Sequence, residues 1–285
     1  MIKGIRVLRK KVHIHPVFWI VFGTGVLTGH FWDVTAIFFI VMMHELGHAL
    51  AALFLGWRLT SIELLPFGGV AKVDESGTRP FQEEFIVTLS GPMQHLWLPF
   101  VSFLLLMTPY WNATNHEMFL EKNWMILLFN LFPIWPLDGG KLLLIVLSRY
   151  FPYRRAYRLA LLSSFLFLML LTLWVAFHRT ILLNYFVIAL FLLVMLIKEW
   201  RQQRYVFMRF LLERWQHSAL NELKSMTVSV PSDMALMDVV EMFYKDRHHQ
   251  IKIQGKNEEY LITEKHVLNA FFNGNYYNQA IGKLL

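Results

Sequence analysis

The stretch His44-Glu45-Leu46-Gly47-His48 sets two imidazoles four residues apart with a carboxylate between them, inside an apolar run from Thr35 to Trp57. On a helix, residues i and i+4 share a face. His44 and His48 can therefore offer two ring nitrogens to one ion, while Glu45 beside them reaches a water on that ion. This is the arrangement of a metal-dependent hydrolase. A glutamate at the centre of a spanning helix costs about 2.5–3.5 kcal/mol on insertion scales, so a functional role is the default reading of Glu45. The chain contains no cysteine, which excludes disulfides, thiolate zinc ligation and cysteine nucleophiles. Zinc would have to rest on histidine and carboxylate alone.

A third ligand is sought inside the apolar segments. The stretch from Trp124 to Leu147 has the length of one span but contains Asn130-Leu131-Phe132-Pro133-Ile134-Trp135-Pro136-Leu137-Asp138-Gly139-Gly140. Two prolines and two glycines break a helix, and broken backbone at membrane depth is tolerated only where protein or water satisfies it, so this segment is expected to line a cavity. Asp138 is the aspartate it supplies; the others, at 33, 74, 233, 238 and 246, lie outside the spans. Ionised Asp138 and Glu45 would balance the charge of one zinc ion, and two histidines with one carboxylate leave a fourth tetrahedral position for water. Zinc acidifies that water and Glu45 is placed to take its proton, ready for attack on a polarised carbonyl.

The elements that hold these residues follow from composition. Hydrophobic residues make up 56% of the 285, more than a soluble globule needs, and they cluster in runs of spanning length. Six spans are expected, at about 12–32, 35–57, 85–107, 124–147 (broken), 159–177 and 182–197. The net charge of +7 sits mostly beside these runs, so it orients the chain in a bilayer and does not indicate nucleic acid. Lys and Arg gather at the amino terminus and after the second, fourth and sixth runs. The facing loops hold only Lys122 and Arg179. That bias puts both termini in the cytoplasm and brings His48 and Asp138 to one depth.

Between the second and third runs, residues 62–73 read as two short strands around a Gly68-Gly69 turn, a membrane-associated β-hairpin whose edge is suited to pair with an extended peptide. Ser90-Gly91-Pro92 marks close helix contact and a kink in the third run, with Gln94 and His95 facing either the site or, by preference, the helix bundle. Residues 201–285 hold 20 charged side chains in 85, against 10 in 113 for residues 85–197. The chain therefore divides into a membrane domain over 1–200, a basic, aromatic-rich linker helix over 201–222, and a small α/β domain over 223–285. The last is expected to run as strand 227–230, helix 235–245, strands 250–254 and 260–263, and helix 264–273.

His44-Glu45-Leu46-Gly47-His48, Ser90-Gly91-Pro92 and Asn130 through Gly140 together resemble the site-2 protease family of intramembrane zinc metalloproteases, across the whole membrane core. Leu64-Leu65-Pro66-Phe67-Gly68-Gly69, Pro133 through Lys141, and Arg209-Phe210-Leu211-Leu212-Glu213-Arg214 look like the member of that family found in sporulating bacilli. The resemblance implies one zinc ion held by His44, His48 and Asp138, with Glu45 as the base. It implies substrate contacts from Asn130, Pro136 and the hairpin residues Phe67, Gly68, Gly69 and Val70. It further implies a protease in the membrane around the forespore that removes the pro-segment of the sigma-K precursor. Its inhibitory membrane partners would resemble bypass-of-forespore protein A and stage IV sporulation protein FA. The carboxy-terminal domain resembles a single module of the cystathionine beta-synthase (CBS) type, which implies pairing between chains and a site for ATP. The competing reading is a metal-ion transporter with its site at the bilayer midplane and a regulatory CBS module; Glu45 discriminates, since a transporter needs no general base.

Overall fold

The computed structural model describes residues 12–14, 16–57, 59–65, 68–73, 79–177, 183–216, 225–255, 259–274 and 279–284. The chain forms two compact units. One is Met1–Pro133 with Leu137–Leu142, the other Ile134–Pro136 with Leu143–Leu285.

The first unit begins with strand β1 (Val12–Ile14), helix α1 (Pro16–Leu27) and helix α2 (Phe31–Phe54), which carries the histidine pair. Strands β2 (Leu59–Leu65) and β3 (Gly68–Val73) follow, then helices α3 (Phe81–Leu105) and α4 (Ala113–Asn130) and the start of α5 (Asp138–Tyr150). The sheet has the order β1-β2-β3, with β1 parallel and β3 antiparallel to β2. Ile40 of α2, Leu98 of α3, and Phe119 and Ile126 of α4 are buried against one another and hold the three helices together. Beside them Ala49, Ala52, Trp57 and Val87 form a second cluster. The Trp57 indole donates to Glu83 at 2.8 Å. The outer faces are apolar: Phe39, Leu50, Phe54, Leu96, Phe100 and Leu128 are all exposed, a surface that calls for lipid more than for water.

Several expectations are corrected here. The first apolar run does not begin as helix at Val12: residues 12–14 pair with Ile62–Leu64, and α1 takes up at Pro16 with 12 residues. It stops before Gly29, whose φ is +82°. Among the described residues, two helices are long and apolar enough to cross a bilayer, Phe31–Phe54 and Tyr153–Phe177, where six runs were read. Helix α3 departs from that standard because Ser90, Gln94, His95, Pro92 and Pro99 interrupt its apolar stretch, and α4 because Glu117, Glu121 and Lys122 share its 18 residues. The glycine pair is not the hairpin turn. Gly68 pairs with Leu65 and Gly69 with Leu64, so both lie in the ladder, where glycine permits close approach. Phe67 lies outside the described residues. The break in the fourth run falls where the prolines and glycines put it, between Asn130 and Asp138.

In the second unit, helices α6 (Tyr153–Phe177) and α7 (Leu183–Gln216) precede β4 (Ser225–Pro231), α8 (Leu236–Glu241), β5 (His248–Gln254), β6 (Glu259–Thr263), α9 (Glu264–Asn273) and a 3-10 turn (Ile281–Leu284). Residues 201–216, read as a linker helix, continue α7 without interruption. Strand β5 is central, parallel to β4 and antiparallel to β6. His249, Ile251 and Ile253 alternate inward along it, onto a core with Val239, Val240, Phe243, Val267 and Leu268. Helix α8 is shorter than the expected 235–245. The Tyr244 N–H, which a continuing helix would give to the Val240 carbonyl, donates to His249 Nε2 at 3.0 Å, and the carbonyls of Tyr244, Lys245 and Arg247 turn to the Arg214 guanidinium at 3.2, 2.7 and 2.5 Å. Arg214 also makes a two-pronged pair with Glu264, Nε to Oε1 at 2.5 Å and Nη2 to Oε2 at 2.9 Å. Glu264 Oε2 further accepts from the His249 backbone N–H at 2.9 Å and from Nδ1 of the same residue at 2.8 Å.

Candidate metal centre

His44 and His48 lie one turn apart on α2, and Asp138 is the first residue of α5. His44 Nε2 and His48 Nε2 are 3.1 Å apart. Asp138 Oδ2 lies 2.9 Å from the first and 3.0 Å from the second. All three side chains are buried, as is Glu45, which is an electrostatic neighbour of both His48 and Lys141.

Glycines let these elements approach. A Cβ on Gly47 would sit 2.5 Å from the Ser90 carbonyl oxygen, and one on Gly139 would sit 2.2 Å from that of Leu131. Close contact of α2 with α3 is sealed by Ser90 Oγ, which donates to the Gly47 carbonyl at 3.0 Å, the small-residue packing expected of helices in lipid. The tight seat of Gly139 fixes where α5 begins and so where Asp138 points.

The outward atom of each of these three side chains is occupied. His48 Nδ1 is 2.7 Å from the Val87 carbonyl; a carbonyl only accepts, so Nδ1 carries the proton and Nε2 presents a bare lone pair. His44 Nδ1 meets His95 Nε2 at 3.0 Å. Asp138 Oδ1 accepts from Lys141 Nζ at 2.9 Å, which leaves Oδ2 facing the histidines. Acceptor atoms thus converge in a buried space, an arrangement that a cation relieves. Tetrahedral zinc with bonds of about 2.0–2.1 Å would space its ligands by about 3.3 Å, a few tenths from the distances found. Two imidazoles and a carboxylate suit zinc and leave a position for water. The residues present therefore fit the ion.

Residues 33–122 match the model of Peptidase family M50. The chain is 39% identical to Stage IV sporulation protein FB of Bacillus subtilis over 276 residues, 96% of each protein. The chain belongs to the site-2 protease family, peptidase family M50. It is a zinc metalloprotease of the membrane. A zinc metalloprotease of Methanocaldococcus jannaschii is 32% identical over 137 residues, 46% of this chain and 39% of that one. The solved site-2 protease from the same organism shares the fold, with a TM-score of 0.52 at 23% identity over 66% of this chain and 89% of its own. Family membership sets the transporter reading aside.

Other residues read from sequence fall at varied places in the protease. Asn130 ends α4 with its amide donating back to the Ile126 carbonyl at 3.0 Å. Gly68, Gly69 and Val70 lie in β3, at the edge of the sheet. Pro136 belongs to the other compact unit and follows a cis peptide bond. Three polar residues about the cluster were missed or misread. Lys141 is a fixed positive charge beside Asp138, so the tally of two carboxylates against one dication leaves the site more positive than neutral. His95, read as facing the bundle, touches His44. Asn123, which falls between the third and fourth apolar runs, is fully buried against His95.

Proposed function

We propose that this protease cleaves a membrane-associated precursor at a zinc ion held by His44 and His48 through Nε2 and by Asp138 through Oδ2. The reading rests on one observation above all: those three atoms lie 2.9–3.1 Å apart with their outer partners already engaged. Zinc, when bound, supplies a Lewis acid that polarises a carbonyl and acidifies water. Glu45 is the general base that takes the proton from water and returns it to the leaving amine. Neutral His44 and His48 keep their protons on Nδ1, away from the reaction. Lys141 holds Asp138 to a single donor oxygen.

The substrate is a sporulation sigma factor precursor, the sigma-K type, from which the amino-terminal pro-segment is removed. Kinship with Stage IV sporulation protein FB over nearly the full length of both chains supports this. Inhibitory membrane partners resembling bypass-of-forespore protein A and stage IV sporulation protein FA belong to the same proposal. So do a location in the membrane surrounding the forespore, six passages through it and cytoplasmic termini. Proteolysis requires extended substrate, and β3 pairs with β2 on one side only among the described strands. Phe67 through Val70 are therefore proposed to hold substrate as an added strand, with Asn130 and Pro136 as further substrate contacts. A division into 1–200, 201–222 and 223–285 belongs to the same proposal, with the last a CBS-like module that pairs between chains and binds ATP.

The test is cleavage of a purified sigma-K-type precursor by the purified protease in detergent. Cleavage is expected to stop with a zinc chelator and to return with added zinc. Chelator-resistant cleavage, or none with zinc restored, overturns the proposal.

A further inference from the structure

Behind His44 lies a chain of hydrogen bonds that begins at a proline. Pro99 is inside α3 and has no N–H, so the His95 carbonyl, four residues earlier, loses its helical donor. The Asn123 side-chain Nδ2 takes that place, donating to the His95 carbonyl at 3.0 Å. A carbonyl accepts only, so this bond decides which end of the Asn123 amide is which. Its Oδ1 is left facing His95 Nδ1 at 2.9 Å.

Oδ1 is itself only an acceptor, so His95 must carry its proton on Nδ1. His95 Nε2 is then a bare lone pair, 3.0 Å from His44 Nδ1, and His44 in turn must be the donor there. The remaining atom, His44 Nε2, is left deprotonated and aimed at Asp138 Oδ2. His95 and Asn123 are both fully buried, so no water competes for these bonds. A neutral imidazole with one free nitrogen has two tautomers, and only one of them can ligate a metal through Nε2.

We infer that His95 and Asn123 are positioning residues that lock His44 into its metal-ligating tautomer and orientation. The inference deepens the ligand assignment above and rests on it. His48 needs no such chain, because the Val87 carbonyl does the same for it directly.

The test compares His95→Leu, which keeps the volume and removes the acceptor, with His95→Gln, whose amide can accept from His44 and donate to Asn123. Asn123→Leu, one step further from the site, is measured alongside in case His95→Leu does not fold. Zinc affinity is measured by chelator competition, and the cobalt-substituted protein is examined by visible absorption. Loss of an outer-shell partner is expected to weaken zinc binding about 10–100-fold in both leucine variants and to shift their cobalt bands. His95→Gln should recover most of both. Wild-type affinity and spectrum in the folded leucine variants overturn the inference. So does a His95→Gln protein as impaired as His95→Leu, since that would make His95 a packing residue. A His44→Ala control separates the two levels: undiminished zinc binding there defeats the ligand assignment itself.

Discussion

Gly91→Ala is the smallest change that should disable the protease while leaving it folded. A Cβ at position 91 would lie 2.1 Å from His48 Nε2 and 2.4 Å from its Cε1. Carbon and nitrogen do not approach closer than about 3.4 Å without repulsion, so the ring must withdraw by about 1.3 Å. His48 cannot slide freely, because its Nδ1 is held at 2.7 Å by the Val87 carbonyl on the same helix as Gly91. It must tilt, and Nε2, the atom that meets Asp138, is the one displaced. Metal sites tolerate errors of about 0.2 Å in ligand distance, and a misplacement of about 1 Å costs roughly 100-fold in rate. Global stability moves little. Overpacking costs about 1–3 kcal/mol, and replacing a helical glycine by alanine returns up to about 1 kcal/mol. The expected protein is folded, poor in zinc and at least about 100-fold slower. Zinc per chain and the rate of precursor cleavage are measured together with Gly23→Ala, whose Cβ meets nothing within 4 Å and which should match wild type. A Gly91→Ala protein with full zinc and normal turnover would show that the ring geometry about His48 is wrong.

The other expectations concern the base, the carboxy-terminal unit and the hairpin. Glu45→Gln should keep zinc and lose cleavage, while Asp138→Ala loses both; zinc content read beside turnover separates them, and cleavage by Glu45→Gln would sink the mechanism. Burial works against the Glu264 carboxylate, but the His249 hydrogen bond and the Arg214 charge outweigh it and bring its pKa down to about 2. A folded value below the unfolded one gives stability that is present above about pH 4.5 and lost as pH falls toward 2, at most about 3 kcal/mol. Burial also pushes the His249 pKa down, so acid acts in the same direction there. Hydrogen exchange over residues 225–284 should rise across that window, and Arg214→Met should raise it already at neutral pH by leaving a buried carboxylate short of its partner; unchanged exchange in Arg214→Met refutes the account. Single cysteines placed in β3, in a chain that has none, should crosslink to a cysteine in the substrate pro-segment more than cysteines elsewhere on the cytoplasmic face; equal yields count against strand addition.

What the sequence makes legible is whatever one helix or one interruption announces locally. His44 and His48 are four residues apart, so any helix brings them together. Asp138 is ninety residues from His48, yet it shows because a broken apolar run needs a reason and an aspartate within one needs a partner. The small α/β domain reads well because its strands alternate and its helices sit between turn residues. The misses share a different property, a meaning that depends on a neighbour distant in sequence. Residues 12–14 look like the start of a span and become a strand only because 62–64 lie alongside. Gly68-Gly69 has the composition of a turn, and only the register with Leu64 and Leu65 puts it in the ladder.

Arg214 looks like one more basic residue on the linker helix until Glu264, fifty residues away, is placed against it. His95 and Asn123 are the instructive pair. A buried polar residue in a helix has to find a partner, but sequence does not say which one, and bundle-facing histidines are common enough to pass unnoticed. One local clue was present. A proline four residues after a histidine inside an apolar helix leaves that histidine's carbonyl without a donor, and a freed carbonyl in lipid must be met by a side chain from elsewhere. Polar residues of the neighbouring helix are the candidates, and Asn123 is the one that the fold places there. Read this way, helix-breaking residues near a site point beyond the break itself, to the side chains recruited to repair it, and those side chains can set the chemistry of the ligand behind them.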